Sequence, residues 1–179
     1  MILKETTISG SYIIELEKLK DNRGFFARTF CKNEFKKQGL HLDFVQQSIS
    51  YNEKRGTLRG MHYQIEPYEE IKIVSCVQGA IYDVIVDLRK ESDTYLKWFG
   101  IELNDKNNKS LYIPKGVAHG FQTLLDKTIV FYQMSEVYNF ESSRSILWCD
   151  SRINISWPIE KIIISKKDEN IFNGNKNEK

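Results

Sequence analysis

Between Gly10 and Tyr138 the chain is a succession of short apolar-polar alternations broken by turn signals, and this spacing constrains the fold more than any other feature. "GSYIIELEKL", "GFFARTF", "LDFVQQSISY", "TLRGMHYQI", "EIKIVSCVQG", "AIYDVIVDLR", "KWFGIEL", "KSLYIP", "VAHGFQTLL" and "KTIVFYQMSEVY" each read as a strand, with successive side chains on opposite faces. One stretch, "NEFKKQG", reads as a short helix stopped by Gly39. Strands this short and numerous, without alternating long helices, predict an antiparallel sandwich or barrel rather than a parallel α/β fold. The 179 residues suffice for a single domain, 1–179, with a full core. The polar, Asn/Lys-rich tail from about residue 169 to 179 is expected to fray. The N-terminal strand "SYIIEL" could add to the sheet edge of a second copy.

Charge and cysteine usage exclude several function classes. Twenty-six basic residues balance 24 acidic ones, for a formal net charge of +2, and no basic block precedes the tail. That pattern argues against nucleic acid as a partner. Three cysteines, Cys31, Cys76 and Cys149, are far apart and form no CxxC pair, so neither a disulfide framework nor a zinc motif follows. "MILKETTISG" lacks the build of a signal peptide, and no apolar run is long enough to span a membrane. A cytoplasmic protein without a membrane partner is expected.

Alternation sorts the polar residues by face. In "GTLRGMHYQ", His62 and Gln64 share one face and Met61 and Tyr63 the other. Lys72 lies on the side of Val74 and Cys76, opposite Ile71 and Ile73. Tyr132 shares its face with Val130 and Met134. In "AIYDVIVDLR", Tyr82, Val84, Val86 and Leu88 face one way, Asp83, Asp87 and Arg89 the other, and either face could be inward. If His62, Lys72 and Tyr132 all point inward, they line a polar pocket in a barrel mouth. Plainer readings make His62 a hydrogen-bonded core histidine and Lys72 a surface lysine. Asp168 likewise completes a Ser165-x-x-Asp168 capping box at a short C-terminal helix.

Two segments resemble the paired motifs of cupins. Gly56 is followed by five residues and His62; Gln64 stands where metal cupins place a second histidine. Lys72, followed by six residues and Gly79, stands where they place a glutamate, and Pro114, Gly116 and His119 match the second motif. The spacing is that of a metal cupin; the ligand set is not. A cationic lysine repels a divalent metal, and imidazole plus an amide is a weak donor set, so no metal is expected. The expected fold is all-β, a cupin-type jelly-roll barrel with short peripheral helices.

The same residues lie within a longer resemblance. "DNRGFFARTF", "GTLRGMHYQ", "KIVSCVQGAIYDVIVDLR", "LYIPKGVAHGFQTL", "VFYQMSEVY", "SILWCD" and "INISWPI…ISKKD" are similar, in order, to the pattern of dTDP-4-dehydrorhamnose 3,5-epimerases from about residue 10 to Asp168. The resemblance implies a cofactor-free homodimer acting on a small-molecule nucleotide sugar and inverting carbons that flank a ketone. It implies His62 as the base, Lys72 as the cation beside the developing enolate, Tyr132 as the acid, and Asp168 as the partner of His62. Tyr138, six residues after Tyr132 and so expected on its face, is the rival acid and otherwise a substrate contact. Arg23 and Arg59 match diphosphate-binding arginines, whose planar forks suit phosphate. Gln46 and Lys167 match further substrate contacts, His119 is expected to touch the substrate or a residue that does, and Asp83 is expected as a buried partner of Lys72 or His119.

Three positions depart from the family pattern. Arg28 replaces a glutamate, Ser48 the asparagine of "VQxN", and Ser143 the second glutamate of "PExE". The implied substrate is dTDP-4-dehydro-6-deoxyglucose, in rhamnose or related cell-surface sugar synthesis. Inversion of C3 alone, another nucleotide-linked 4-keto sugar, and a non-catalytic sugar-binding cupin remain as alternatives.

Overall fold

The computed structural model describes residues 1–41, 43–166 and 168–169. The described chain forms β1 (Ile2–Glu5), β2 (Tyr12–Glu15), β3 (Leu19–Asp21), β4 (Gly24–Phe26), α1 (Lys32–Lys37), β5 (Gln46–Asn52), β6 (Leu58–Gln64) and β7 (Lys72–Gln78). There follow β8 (Ala80–Asp87), β9 (Trp98–Asn104), β10 (Ser110–Ile113), β11 (Val117–Thr123), β12 (Thr128–Met134) and β13 (Ser143–Ser145). A six-stranded sheet runs β1-β2-β10-β7-β12-β5, a five-stranded sheet β13-β6-β11-β8-β9, and β3-β4 form a separate hairpin. The strand pairs are antiparallel, as the strand pattern predicts, and the arrangement is the cupin-type jelly roll that the resemblance implies.

The main core lies between the two sheets. Val74, Cys76, Leu111, Ile113 and Val130 from the six-stranded sheet meet Ile81, Ile85, Leu103, Val117 and Phe121 from the other. β8 is buried on both faces, which is why its alternation alone could not show which side is inward. Ile81, Asp83 and Ile85 look into the barrel; Val84 and Val86 join Met61 and Ala118 beneath Ile153, Ile155 and Trp157. Outside the six-stranded sheet, α1 buries Phe35 against Ile14, Ile73 and Tyr112, and the chain leaves the helix through Gly39 at φ 67°.

Residues 146–163 form a strap across the outer face of the five-stranded sheet. Gln122 anchors it with both amide atoms: Nε2 donates to Ile159 O at 2.8 Å and Oε1 accepts from Ile159 N at 3.0 Å. Beyond that point Ile163 pairs with Thr57 in a parallel bridge, receiving Leu58 N–H on its carbonyl at 2.8 Å and donating to Gly56 O at 2.9 Å. A Cβ at Gly56, which sits at φ +84°, would lie 2.5 Å from Lys161 O, so the strap passes only because that position is glycine. The tail expected beyond residue 169 lies outside the described residues.

One expectation is corrected. β2, the strand of "SYIIEL", pairs with β1 on one side and β10 on the other, so it offers no edge to a second copy. The exposed edges of the large sheet are β1 and β5.

Candidate active site

His62 sits on β6, and Lys72 and Tyr132 sit on β7 and β12 of the facing sheet. The strand period turns all three inward: their neighbours Met61, Ile73 and Phe131 point the opposite way. Two cavities, about 260 Å³ and 370 Å³, share these three side chains in their walls. Gln64, Glu70, Met134 and Tyr138 help to line the first; Arg59, His119, Ser165 and Asp168 help to line the second.

His62 Nε2 lies 2.8 Å from Asp168 Oδ1, a carboxylate on the helical turn that follows the strap. With the Nε2 proton facing the carboxylate, Nδ1 carries the free lone pair. The capping reading of Asp168 also holds. Ser165 Oγ donates to Asp168 Oδ2 at 3.0 Å and accepts from Asp168 N at 3.2 Å. Ser165 Oγ thus caps the helical turn, and the Asp168 carboxylate accepts from that hydroxyl with one oxygen and meets the imidazole with the other.

Tyr132 lies across from Val74 of β7 and Ser48 of β5. Burial pushes its phenol above the usual tyrosine range, Asp83 adds to the rise, and Arg59 opposes it. The group is therefore held as a neutral O–H at every ordinary pH. Tyr138 does not share that strand face: β12 ends at Met134, and Tyr138 stands 55% exposed in the following loop. Its backbone N–H donates to Gln46 Oε1 at 2.9 Å, so Gln46 holds this loop as well as lining the first cavity.

His119 Nε2 lies 2.7 Å from Asp83 Oδ1, which settles the partner of this buried carboxylate as the histidine rather than Lys72. Asp83 Oδ2 has no hydrogen-bond partner among the described residues. Lys72 pairs instead with Glu70, Nζ to Oε1 at 2.8 Å. Arg59 donates from Nε to Asn52 Oδ1 at 2.7 Å, and Asn52, itself buried, is fixed by donating to Ser50 O and Thr128 O. Sequence reasoning missed Glu70 and Asn52. The first belongs to an acidic run, "EPYEE", that reads as solvated loop; the second sits at the last residue of an edge strand.

Arg23 lines neither cavity; it lies on the β3–β4 turn, largely exposed and paired with Asp21 at 2.6 Å. Lys167 lies outside the described residues. Of the three departures from the family pattern, Ser143 lines the first cavity, Ser48 is the cross-strand neighbour of Tyr132, and Arg28 pairs with Glu34 at 3.0 Å. Among the described residues no group of three or more His, Cys, Asp or Glu side chains is placed to hold a metal ion.

Fold and cavity together define a cupin-type barrel whose ligand positions carry titratable and amide side chains in place of a metal-binding set. Comparison with known proteins narrows that class. The chain belongs to the dTDP-4-dehydrorhamnose 3,5-epimerase family, whose model matches residues 5–174. It is 45% identical over 169 residues to the dTDP-4-dehydrorhamnose 3,5-epimerase of Methanothermobacter thermautotrophicus, covering 93% of this chain and 90% of that protein. The crystal structure of the same enzyme from Elizabethkingia anophelis superposes with a TM-score of 0.92 at 39% identity, over 95% of this chain and 94% of that one. A 3′-monoepimerase from Streptomyces bikiniensis in complex with dTDP-quinovose is also similar, with a TM-score of 0.85 at 30% identity over 92% and 84% of the two chains.

Proposed function

We propose that this chain inverts C3 and C5 of dTDP-4-dehydro-6-deoxyglucose to give dTDP-4-dehydro-L-rhamnose, with His62 as base and Tyr132 as acid. The carrying observation is that His62, Lys72 and Tyr132 wall the same two cavities. A C–H beside a ketone is a weak acid, and imidazole, with a pKa of ~6.5, removes its proton only if the enolate is stabilised as it forms. His62 Nδ1 takes the proton; the C–H electron pair becomes the enolate, and the former carbonyl oxygen takes the charge beside the Lys72 ammonium. Asp168 stabilises the imidazolium that results. Tyr132 then donates its O–H proton to the carbon from the opposite side, which inverts the centre, and solvent restores both groups. Both carbons flank the C4 ketone, so one base and one acid serve both after the ring reorients.

The rest of the substrate falls to the cations. Arg59, held by Asn52, is the diphosphate contact in the second cavity. Arg23 lines neither cavity of its own chain, so the same role for Arg23 requires a second copy to carry the β3–β4 hairpin to the site. That hairpin exposes Leu19, Phe25 and Phe26, and the outer face of the large sheet exposes Ile49, Tyr51 and Val77, the surface a homodimer would cover. A cytoplasmic role in supplying a cell-surface sugar follows from the proposed product. No helix among the described residues is long and apolar enough to cross a membrane.

Solvent exchange tests the reading. In heavy water, dTDP-4-dehydro-6-deoxyglucose treated with the protein should gain deuterium at C3 and then at C5. The similarity to a 3′-monoepimerase, with Ser143 in the cavity wall where the pattern has glutamate, keeps one alternative in view. Label at C3 alone would establish that single-centre reaction. No label with any tested nucleotide-linked keto sugar, despite binding, would replace catalysis by sugar binding alone.

A further inference from the structure

We infer that Glu70 is a positioning residue for Lys72: its carboxylate aims the lysine ammonium into the cavity that His62 and Tyr132 share. The two side chains are only 10% and 13% exposed, and Nζ lies 2.8 Å from Glu70 Oε1. Glu70 is itself held. Its Oε2 accepts from Gln64 Nε2 at 3.3 Å, and Gln64, 3% exposed, is fixed on the other side by Asn139 N–H donating to its Oε1 at 2.7 Å. The contact chain therefore runs from the rigid strand β6, through an amide with little freedom, to a carboxylate and then to the ammonium.

Lysine needs such a hold more than any other cation the site could use. It is a point charge on a flexible four-carbon stem, and an enolate is stabilised best by donors that need no reorganisation when charge develops. One of its three N–H bonds is spent on Glu70, which fixes the stem and leaves two for the substrate. Burial adds a second reason, because an ammonium taken out of water without a counter-charge is costly. The other buried carboxylates have partners elsewhere: Asp83 meets His119, Asp168 meets His62 and Asp87 meets Arg89. Gln64, two residues from His62, occupies the place of a metal-cupin ligand and here serves as a bracket between Glu70 and the loop that carries Tyr138.

This inference rests on the proposed enolate chemistry, and its test separates the two. Full-length Glu70→Leu and Glu70→Gln would be assayed for turnover of dTDP-4-dehydro-6-deoxyglucose, for binding of dTDP alone by calorimetry, and for the Lys72 ammonium ¹H–¹⁵N signal, assigned by its absence in Lys72→Arg. Glu70→Leu should lower kcat about 10–100-fold, the loss typical of a misplaced reacting group, with dTDP affinity unchanged. Glu70→Gln, which keeps an acceptor oxygen, should lose less. The ammonium signal should broaden into solvent exchange in Glu70→Leu. A kcat in Glu70→Leu equal to that of the parent, an unmoved ammonium signal, or a loss of dTDP affinity in step with kcat would overturn the assignment. If the parent protein turns over no keto sugar, the proposed function fails, and the ammonium signal alone then decides the role of Glu70.

Discussion

At the scale of single residues, the two tyrosines differ in a way that chemistry can read. Tyr132 faces the cavity with its phenol pushed up by burial, whereas Tyr138 stands half out of the loop after β12. Tyr132→Phe should therefore keep solvent exchange at C3 while losing inversion, and Tyr138→Phe should retain both. Nuclear magnetic resonance of the sugar in heavy water distinguishes these patterns, and the reverse result would make Tyr138 the acid. His62→Ala and Lys72→Ala should each cost about 10²–10⁴-fold in turnover without loss of fold, measured by steady-state assay beside circular dichroism. Asn52→Ala frees the Arg59 fork and should weaken dTDP binding more than it slows kcat. Alternation left the inward placing of His62, Lys72 and Tyr132 conditional, and the motif spacing and family resemblance singled them out; the structure puts all three in the walls of the same two cavities. Glu70 was not, because a carboxylate in an acidic loop looks solvated until the fold buries it beside an ammonium. Asp168 was half legible: its local partner Ser165 lies three residues away, its distant partner His62 lies 106 residues away, and the sequence shows only the near one directly.

At the scale of elements, the strap matters most. It reaches the barrel mouth over Gly56, where no side chain fits. Gly56→Ala should push residues 161–163 outward and withdraw Asp168 from His62, costing about 1–3 kcal/mol in strain and lowering kcat although no cavity residue has changed. Urea unfolding and the assay, run together, check both effects. The strand pattern gave β2, β4 and β5 to β12 but neither β1 nor β13, and not the covering of both faces of β8, since alternation cannot show what a distant strap will bury. The β8–β9 connection supplies a pH test. Burial alone would raise the Asp87 carboxyl, but hydrogen bonds from Arg89, Ser92 and Thr94 prevail and hold it far below the usual range. A depressed folded-state pKa adds stability that is present above the unfolded value of ~3.9 and lost as the pH falls below it. Asp87→Asn should therefore destabilise the fold by about 1–3 kcal/mol at neutral pH, and the gap to the parent should narrow in urea melts near pH 3.

At the scale of the whole molecule, Leu19, Phe25 and Phe26 on the β3–β4 hairpin and Ile49, Tyr51 and Val77 on the outer face of the large sheet are exposed apolar side chains. A homodimer is the expected state, and light scattering at micromolar concentration checks it. Phe26→Asp on the hairpin should shift the population toward monomer, and loss of turnover in the same variant would support delivery of Arg23 from a second copy. Neither surface could be recognised from the sequence, where an exposed phenylalanine on a short strand looks the same as a core one. The strap has a further consequence in time. His62 leaves the ribosome 106 residues before Asp168, an interval of roughly 5–20 s at ordinary synthesis rates. A chain made only as far as Ile159 already has every strand from β1 to β13, yet its imidazole still lacks the carboxylate. The barrel can be built before the His62–Asp168 contact exists, and the last helical turn of the described chain completes it.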